Sequence, residues 1–269
     1  MKLNDFYKIA DELAPKALSD EYCKRWNGYD NSGILVNTGD DINAALFSLD
    51  LSQQAIDKAI AYNVTLIVTH HPAIYGGQHN VCVDAFQPLG EKLIQCIKHG
   101  ISVISMHLNL DCAEDGIDDT LQEGIVKASG AQDSGEAAVM HPLSVGGYGK
   151  AYPVQEITLG ELAKKVGKEF STERVLTYGN LERKIMCAAS FCGSGADERA
   201  VEFAVENSAD VIVSSDFKHH VLTLANEKNI AVLALTHYAS EQYGFKKYYE
   251  KIRQRVSVPC LYHTDEELL

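Results

Sequence analysis

The sequence predicts an α/β protein of two duplicated halves, each with mostly parallel or mixed sheets flanked by helices. Short apolar runs alternate with amphipathic segments of helical period along most of the chain, as in folds built from strand–helix units. Residues 59–71 align without gaps on residues 204–216, and each segment has the pattern of a helix end, a tight turn and an apolar strand. Three apolar runs carry histidines and carboxylates just past their last residue, where open α/β sheets place their binding sites.

The first half begins with apolar residues at helical spacing, and caps and turns mark its later elements. Asn4 and Ser52 are suitable N-caps for the first two helices. Gly76 and Gly77 begin an irregular stretch, and a later helix ends before Gly100. The sequence predicts helices at 4–13, 53–62, 89–98 and about 118–128, and strands at 33–37, 44–49, 65–70 and 101–105.

Residues 129–149 are rich in small residues and turn formers, so we expect the boundary between the halves there. The predicted halves are 1–132 and 133–269. We expect their strand-end clusters to face a shared cleft, although strand–helix units also converge on similar patterns without duplication. In the second half the predicted elements are a strand at 149–154, a helix at 159–170, strands at 174–178 and 184–190, and then alternating helices and strands.

The composition is that of a globular protein, and it restricts the partners. Of the 269 residues 46% are hydrophobic and 23% are charged, and no run approaches the ~18 apolar residues of a membrane span. The net charge of −13 opposes general attraction to nucleic acid or anionic lipid. The first residues do not resemble a signal peptide, and seven cysteines without a Cys-x-x-Cys pair argue against a disulfide framework. We therefore expect a cytoplasmic protein with no membrane partner and no nucleic-acid partner.

Histidines and carboxylates lie at or just after the ends of three predicted apolar strands. The strand at 65–70 ends in two adjacent histidines followed by Pro72, an arrangement that packing alone does not require. The strand at 101–105 leads to a His-x3-Asp frame, and the apolar run at 230–235 leads to a His-x3-Glu frame. If the backbone is helical, each frame puts both side chains on one face, one turn apart. The side chains are His70, His71, His107, Asp111, His237 and Glu241.

These side chains have the chemistry of a metal centre. Any one histidine would more often be a hydrogen-bonded structural residue, but the joint position at matching strand ends favours metal binding. Imidazole with carboxylate suits Zn, Mn, Fe, Co or Ni better than Ca or Mg, which prefer oxygen ligands. Five candidates exceed the three protein ligands of an open mononuclear catalytic site, so we expect two divalent ions, whose natural chemistry is hydrolysis. The predicted ligands are His70, His71, Asp111, His237 and Glu241.

Further residues are candidates for proton transfer or phosphate binding. His107 is either a group that supports a ligand or a general acid beside Asp111. His219 and His220 lie at the start of a predicted helix, and we expect one of them to face the cleft. We assign the catalytic proton transfers to His107 and His219. The Gly-Ser-Gly turn at 193–195 is a weaker candidate, because backbone amides before a helix can hold a phosphate.

Three segments resemble the signatures of the NIF-three-like proteins, a family also named GTP cyclohydrolase 1 type 2. The segments are Thr-His-His-Pro at 69–72, His-Leu-Asn-Leu-Asp at 107–111 and Thr-His-Tyr-Ala-Ser-Glu at 236–241. Tyr29 stands where an acidic residue is common in the family, and residues 145–149 match its central motif loosely. Further similar stretches, at 29–36, 147–150, 158–162 and 192–195, extend the resemblance over essentially the whole chain.

The resemblance implies a dinuclear metal centre on a duplicated α/β fold, assembled into a ring-shaped hexamer with its sites facing an inner cavity. It implies the version of the family without an inserted domain, because only short segments separate the halves. It also implies hydrolytic opening of the imidazole ring of GTP. By resemblance, His107 occupies a neighbouring site position, and the family's metal ligands fall on His70, His71, Asp111, His237 and Glu241.

Two functions from different classes agree with these patterns. The first is a metal-dependent hydrolase that acts on a nucleotide-like small molecule, by GTP ring opening or by phosphoester cleavage. The second is a non-enzymatic metal-binding ring assembly that handles metal or binds other proteins. The first is favoured because hydrolysis needs polar groups beyond the ligands, and His107 and His219 are candidates. A structural metal site would instead be closed.

Overall fold

A computed structural model describes residues 1–26, 28–75, 83–133 and 135–269. The irregular stretch predicted from Gly76 lies outside these residues. The helices are α1 (Leu3–Leu13), α2 (Lys16–Trp26), α3 (Gln53–Ala61), α4 (Pro88–Lys98), α5 (Leu108–Cys112), α6 (Ile117–Ser129), α7 (Leu159–Glu169), α8 (Glu198–Glu206), α9 (His219–Glu227) and α10 (His237–Arg253). The strands are β1 (Gly33–Val36), β2 (Ala45–Ser48), β3 (Leu66–Thr69), β4 (Ser102–Ser105), β5 (Ala138–Pro142), β6 (Gly147–Thr158), β7 (Leu176–Tyr178), β8 (Lys184–Ser190), β9 (Val211–Ser214), β10 (Ala231–Ala234) and β11 (Cys260–Tyr262).

The chain forms two compact units. Unit 1 comprises Met1–Ala113 and Phe245–Asp265, and unit 2 comprises Glu114–Gly244 and Glu266–Leu269. A short 3-10 helix, Glu266–Leu268, closes the chain. In the parts of the chain that the structure describes, no helix combines the length and the apolar character needed to cross a membrane.

Unit 1 contains a five-stranded sheet in the order β1-β4-β3-β2-β11. Strands β4, β3, β2 and β11 run parallel to one another, and β1 is antiparallel to β4. Every residue of β2, β3 and β4 is buried, as expected for parallel strands that are covered on both faces. Helices α3 and α4 contribute Ile56 and Leu93 to the same core. Because β2, β3 and β4 are parallel, their last residues meet at one edge, which we call the carboxyl edge of unit 1.

Unit 2 contains a six-stranded sheet in the order β5-β6-β8-β9-β10-β7. Strands β8, β9 and β10 are parallel, β7 is antiparallel to β10, and β5 and β6 form an antiparallel pair beside β8. The order β7-β10-β9-β8 repeats the order β1-β4-β3-β2 of unit 1, with the same strand directions and the same sequence order. The predicted duplicated α/β fold with mixed sheets is therefore confirmed.

The repeat extends to the helix–strand turns. After α3, α4, α8 and α9 one residue takes a left-handed conformation, at Asn63, Gly100, Ser208 and Asn229 with φ of 54°, 65°, 55° and 55°. In each turn the next residue donates to a carbonyl five positions back, as from Val64 to Ala59 and from Ala209 to Ala204. These are Schellman motifs, which end a helix and turn the chain into the next strand. The gapless alignment of 59–71 with 204–216 therefore reflects one local structure used twice.

Ser208→Gly is expected to raise the unfolding free energy by roughly 0.5–1 kcal/mol, because the left-handed conformation costs a residue with a Cβ about 1–2 kcal/mol and glycine little. Urea denaturation followed by circular dichroism measures the change. Asn229→Gly should gain less, since asparagine tolerates this conformation. A loss of stability in Ser208→Gly would contradict the motif at this turn.

The structure divides the chain differently from the halves expected at 1–132 and 133–269. Helix α6 belongs to unit 2, where its Gly124 lies against the ring of Phe170. Strand β11 belongs to unit 1 because it pairs in parallel with β2, far away in the sequence. Ser52 caps α3 through its hydroxyl as predicted, but α1 begins before Asn4. Its start is fixed by a β-bridge between Lys2 and Asp41.

Candidate metal centre

The carboxyl edge of unit 1 collects the side chains that follow its strands. Asp50 comes two residues after β2, His70 and His71 come directly after β3, and His107 comes two residues after β4. Strand β1 runs in the opposite direction, so Asp30, which precedes it, lies at the same edge. Five titratable side chains from four strands thus meet at one place.

Three imidazoles and one carboxylate converge there. The ring centroid of His70 lies 5.0 Å from that of His71 and 5.3 Å from that of His107. One ring nitrogen of His70, one of His107 and a carboxylate oxygen of Asp111 all lie within 4.8 Å of one another. Asp111 lies in α5, which begins directly after His107, and its amide donates to the His107 carbonyl at 2.9 Å, so one turn separates the two residues. His70 and Asp111 are buried, as ligands in a protected site would be.

Each of these imidazoles is fixed through Nδ1 by an oxygen acceptor. A backbone carbonyl or an ionised carboxylate can only accept, so Nδ1 carries a proton and, in the neutral imidazole, Nε2 keeps the lone pair that can bind a metal. The bonds run from His70 to Met106 O (2.8 Å), from His71 to Asp50 Oδ1 (2.8 Å) and from His107 to Asp30 Oδ1 (2.7 Å).

The side chain of Asp30 is buried and accepts several hydrogen bonds. It accepts hydrogen bonds from the hydroxyls of Ser19 (2.6 Å) and Ser32 (2.5 Å) as well as from His107. Burial alone would raise the pKa of Asp30, but these bonds and the His107 charge outweigh it and hold that pKa well below its usual value. Burial likewise lowers the pKa of His107, yet the bond to Asp30 and the charge of Asp111 outweigh it and raise that pKa.

Unit 2 presents a second donor pair at the start of α10. His237 opens the helix and Glu241 follows one turn later, with His237 Nε2 3.1 Å from Glu241 Oε2. Glu241 is buried, and Nδ1 of His237 donates to Asp216 Oδ2 at 2.6 Å. Asp216 follows β9, so the carboxyl edge of unit 2 repeats the arrangement of unit 1. His237 and Glu241 therefore lie one helical turn apart on α10.

Gly193 closes one side of this pair. It takes a left-handed φ of 55° in the turn after β8, and a Cβ there would collide with Oε1 of Glu241 and lie 3.4 Å from the ring of His237. The amide of the preceding Cys192 donates to Asp118 Oδ1 at 3.2 Å. This turn, which the sequence suggested as a phosphate site, therefore lies against the metal-ligand candidates.

A cavity of about 440 Å³ opens beside His71 and His107 in unit 1. This volume is within the range of small-molecule sites, about 300–1,000 Å³. Its remaining lining residues are Tyr29, Asp30, Asn31, Asp50, Pro72, Ile74 and Tyr75.

His219 and His220 both lie at the start of α9 and are exposed. His219 lines a separate cavity of about 800 Å³ in unit 2, together with Arg183 and Asn226. His220 is paired with Glu198 at 2.9 Å. The role assigned to His219 in proton transfer stays a prediction.

The donors present fit divalent transition metals. Imidazoles with carboxylates are the ligand types that Zn, Mn, Fe, Co and Ni share, whereas Ca and Mg favour oxygen alone. Oxygen acceptors that fix the distal nitrogen of each histidine are the usual support of such ligands.

Sequence reasoning did not identify the supporting carboxylates Asp30, Asp50 and Asp216. Asp50 carries a signal, because it directly follows the predicted apolar strand 44–49, as the histidines follow theirs. Asp30 precedes its strand, so its position depends on the antiparallel direction of β1, which the sequence pattern does not reveal. Asp216 aligns with His71 in the repeat of residues 59–71 and 204–216, and that alignment does not indicate its bond to His237.

Comparisons with known proteins agree with this architecture. The model of the family Duf34/NIF3 (NGG1p interacting factor 3) matches residues 1–265. A GTP cyclohydrolase 1 type 2 homolog of Clostridium acetobutylicum is 31% identical over 245 residues, which cover 90% of this chain and 85% of that protein. A protein of the same name from Clostridium perfringens is 28% identical over 263 residues, with 95% and 93% covered.

Solved structures share the fold. A hypothetical protein of Staphylococcus aureus matches with a TM-score of 0.80 at 22% identity, over 98% of this chain and 96% of that one. A Bacillus cereus protein related to NIF3 matches with a TM-score of 0.79 at 19% identity, over 98% and 97%.

Proposed function

The chain belongs to the Duf34/NIF3 (NGG1p interacting factor 3) family, and we propose that it is a hydrolase with a dinuclear metal centre that acts on a nucleotide-like small molecule. One observation carries the proposal. The three histidines proposed as ligands, His70, His71 and His237, each have Nδ1 held by an oxygen acceptor at the carboxyl edge of a sheet. That repeated arrangement is the usual support of metal-ligating histidines, and packing does not require it.

We propose that the protein binds two divalent ions, of Zn, Mn, Fe, Co or Ni. His237 and Glu241 alone supply two ligands, fewer than the three that an open catalytic site uses, so this pair needs further donors. The ligand set implied by the family resemblance provides them. The proposed ligands are His70, His71, Asp111, His237 and Glu241.

The chain's own residues orient the site and transfer protons. Divalent ions bound there would act as Lewis acids and lower the pKa of water toward neutrality. Asp50 and Asp216 hold the rings of His71 and His237 in place through Nδ1. We propose that His107 gives and takes a proton at Nε2, because Asp30 holds its other nitrogen and raises its pKa.

The cavity of about 440 Å³ supports an enzyme over a purely structural metal site. A structural site is closed by its ligands, whereas a catalytic site needs room for substrate beside them. The GTP cyclohydrolase 1 type 2 name of the relatives makes a purine nucleotide the first substrate to test.

The test measures metal content and turnover on the same preparations. Chelated protein is reloaded separately with each of the five metals, and elemental analysis is run on His237→Ala, Glu241→Ala and, as a control for an exposed imidazole, His99→Ala. We expect only the first two variants to lose metal. Unchanged metal content in both would refute the ligand assignment.

Turnover is then screened with GTP and with phosphoesters, and Glu241→Ala is the blank. We expect hydrolysis by the loaded wild-type protein and none by the blank. A loaded, folded protein without turnover would instead support the non-enzymatic ring assembly.

A further inference from the structure

We infer that the cavity beside His71 and His107 binds a planar heteroaromatic ring that carries N–H donors, and that the phosphates of the same ligand lie elsewhere. The inference rests on the proposed function, since it assigns one part of the substrate to that site. Three observations support it: the aromatic side chains that line the cavity, the hydrogen bonds that hold these side chains' segments in place, and the negative charge of the cavity.

Two tyrosines give the cavity aromatic walls. Tyr29 and Tyr75 both line it, with 52% and 66% of their surface exposed. Pro72 and Ile74 also line the cavity and add apolar surface to it. Exposed aromatic rings around a cavity favour the binding of a planar ligand ring. Stacking buries the faces of both rings and adds the attraction between them.

Hydrogen bonds hold the two tyrosine segments in place. Nδ2 of Asn31 donates to the carbonyl of Ile74 at 2.9 Å, so the turn that carries Tyr29 is joined to the segment that carries Tyr75. The amide of Ala73 donates to Ser105 Oγ at 3.0 Å, which anchors that segment to the end of β4. The walls are therefore preformed, which reduces the ordering cost of binding.

The charge of the cavity selects the part of the ligand that enters. The lining residues that the structure describes include the carboxylates of Asp30 and Asp50 and contain neither Lys nor Arg. Asp30 is enclosed by its hydrogen bonds, whereas the side chain of Asp50 is 40% exposed. A carboxylate has roughly four acceptor positions, so Asp50 can accept N–H groups of a ring while it holds His71. The same charge repels phosphate.

The experiment measures binding to the full-length, chelated protein by isothermal titration calorimetry, after circular dichroism has shown it folded. The probes are guanosine, caffeine (a purine without N–H donors) and ribose 5-phosphate. We expect guanosine to bind most tightly, caffeine more weakly and ribose 5-phosphate least. Guanosine binding no tighter than that of ribose 5-phosphate, or no guanosine binding, would overturn the inference. Caffeine binding as tight as guanosine would refute the role of the N–H donors.

Variants locate the site. Tyr29→Ala should weaken guanosine on the order of tenfold or more, as expected for the loss of one stacked ring, and Tyr29→Phe should retain most of the affinity. Tyr62→Ala is the matched control, because Tyr62 is 66% exposed but follows α3 at the opposite edge of the same sheet. Equal affinities in Tyr29→Ala and the wild type would overturn the inference.

The outcome is separable from that of the proposed function. Guanosine binding that depends on Tyr29, without hydrolysis in the loaded protein, would support the ring site and refute the hydrolase. Hydrolysis that Tyr29→Ala leaves unchanged, with no guanosine binding, would support the hydrolase and refute the ring site.

Discussion

Asp118→Ala is expected to lower the unfolding free energy by about 3 kcal/mol, near the lower end of what breaking a buried ion pair costs. Asp118 is fully buried and accepts from Lys150 Nζ at 2.7 Å and from the amides of Gly149 at 2.9 Å and Cys192 at 3.2 Å. Burial alone would lower the pKa of Lys150, but the carboxylates of Asp118 and Asp119 outweigh it and raise that pKa. The lysine therefore stays charged, and the variant leaves it with Asp119 alone. Urea denaturation of the metal-free protein measures the loss.

Two comparisons separate the ion pair from general damage. Asp119→Ala removes the more exposed partner of Lys150, so it should cost about 1 kcal/mol or less. The double variant Asp118→Ala, Lys150→Met removes both buried charges and should recover part of the stability lost in the single variant. Equal losses in Asp118→Ala and Asp119→Ala would show that the buried contact does not stabilise unit 2.

The positions of the candidate ligands could be predicted because they depend on local pattern. An apolar run fixes where a buried strand ends, and the polar residues that follow lie at the carboxyl edge of a parallel sheet. His70 and His107 occupy that edge for this reason. The spacing in the His237 and Glu241 frame is likewise local, since one helical turn brings the two side chains together.

The supporting contacts could not be predicted, because they depend on strand order and direction. The bond from His107 to Asp30 joins residues 77 positions apart and exists because β1 lies antiparallel beside β4. The return of β11 to β2 joins Cys260 with Ala45, and a run of three residues is too short to give a signal for it. Alternation of helix and strand fixes the type of fold, but not which edge of a sheet a late strand joins.

Gly193→Ala is expected to lower metal affinity on the order of 10–100-fold, the usual effect of disturbing a residue that supports a ligand. The added methyl group would collide with the Glu241 carboxylate, which must move away from His237 or force the turn after β8 to shift. The left-handed φ of 55° adds about 1–2 kcal/mol of strain, which lowers the unfolding free energy of the metal-free protein as well. Metal titration against a competing chelator measures the affinity, and urea denaturation measures the strain.

Gly100→Ala is the matched control for Gly193→Ala. Gly100 has a similar φ of 65°, and no atom lies within 4 Å of a Cβ built there, so this variant carries the strain without the collision. Both variants should lose similar stability without metal, and only Gly193→Ala should lose metal affinity. If both kept wild-type affinity, Glu241 would have to lie outside the metal centre, or to move at no cost to it. Under either explanation, metal binding would not require a glycine at position 193. The close contact between Gly193 and Glu241 would then no longer support Glu241 as a metal ligand.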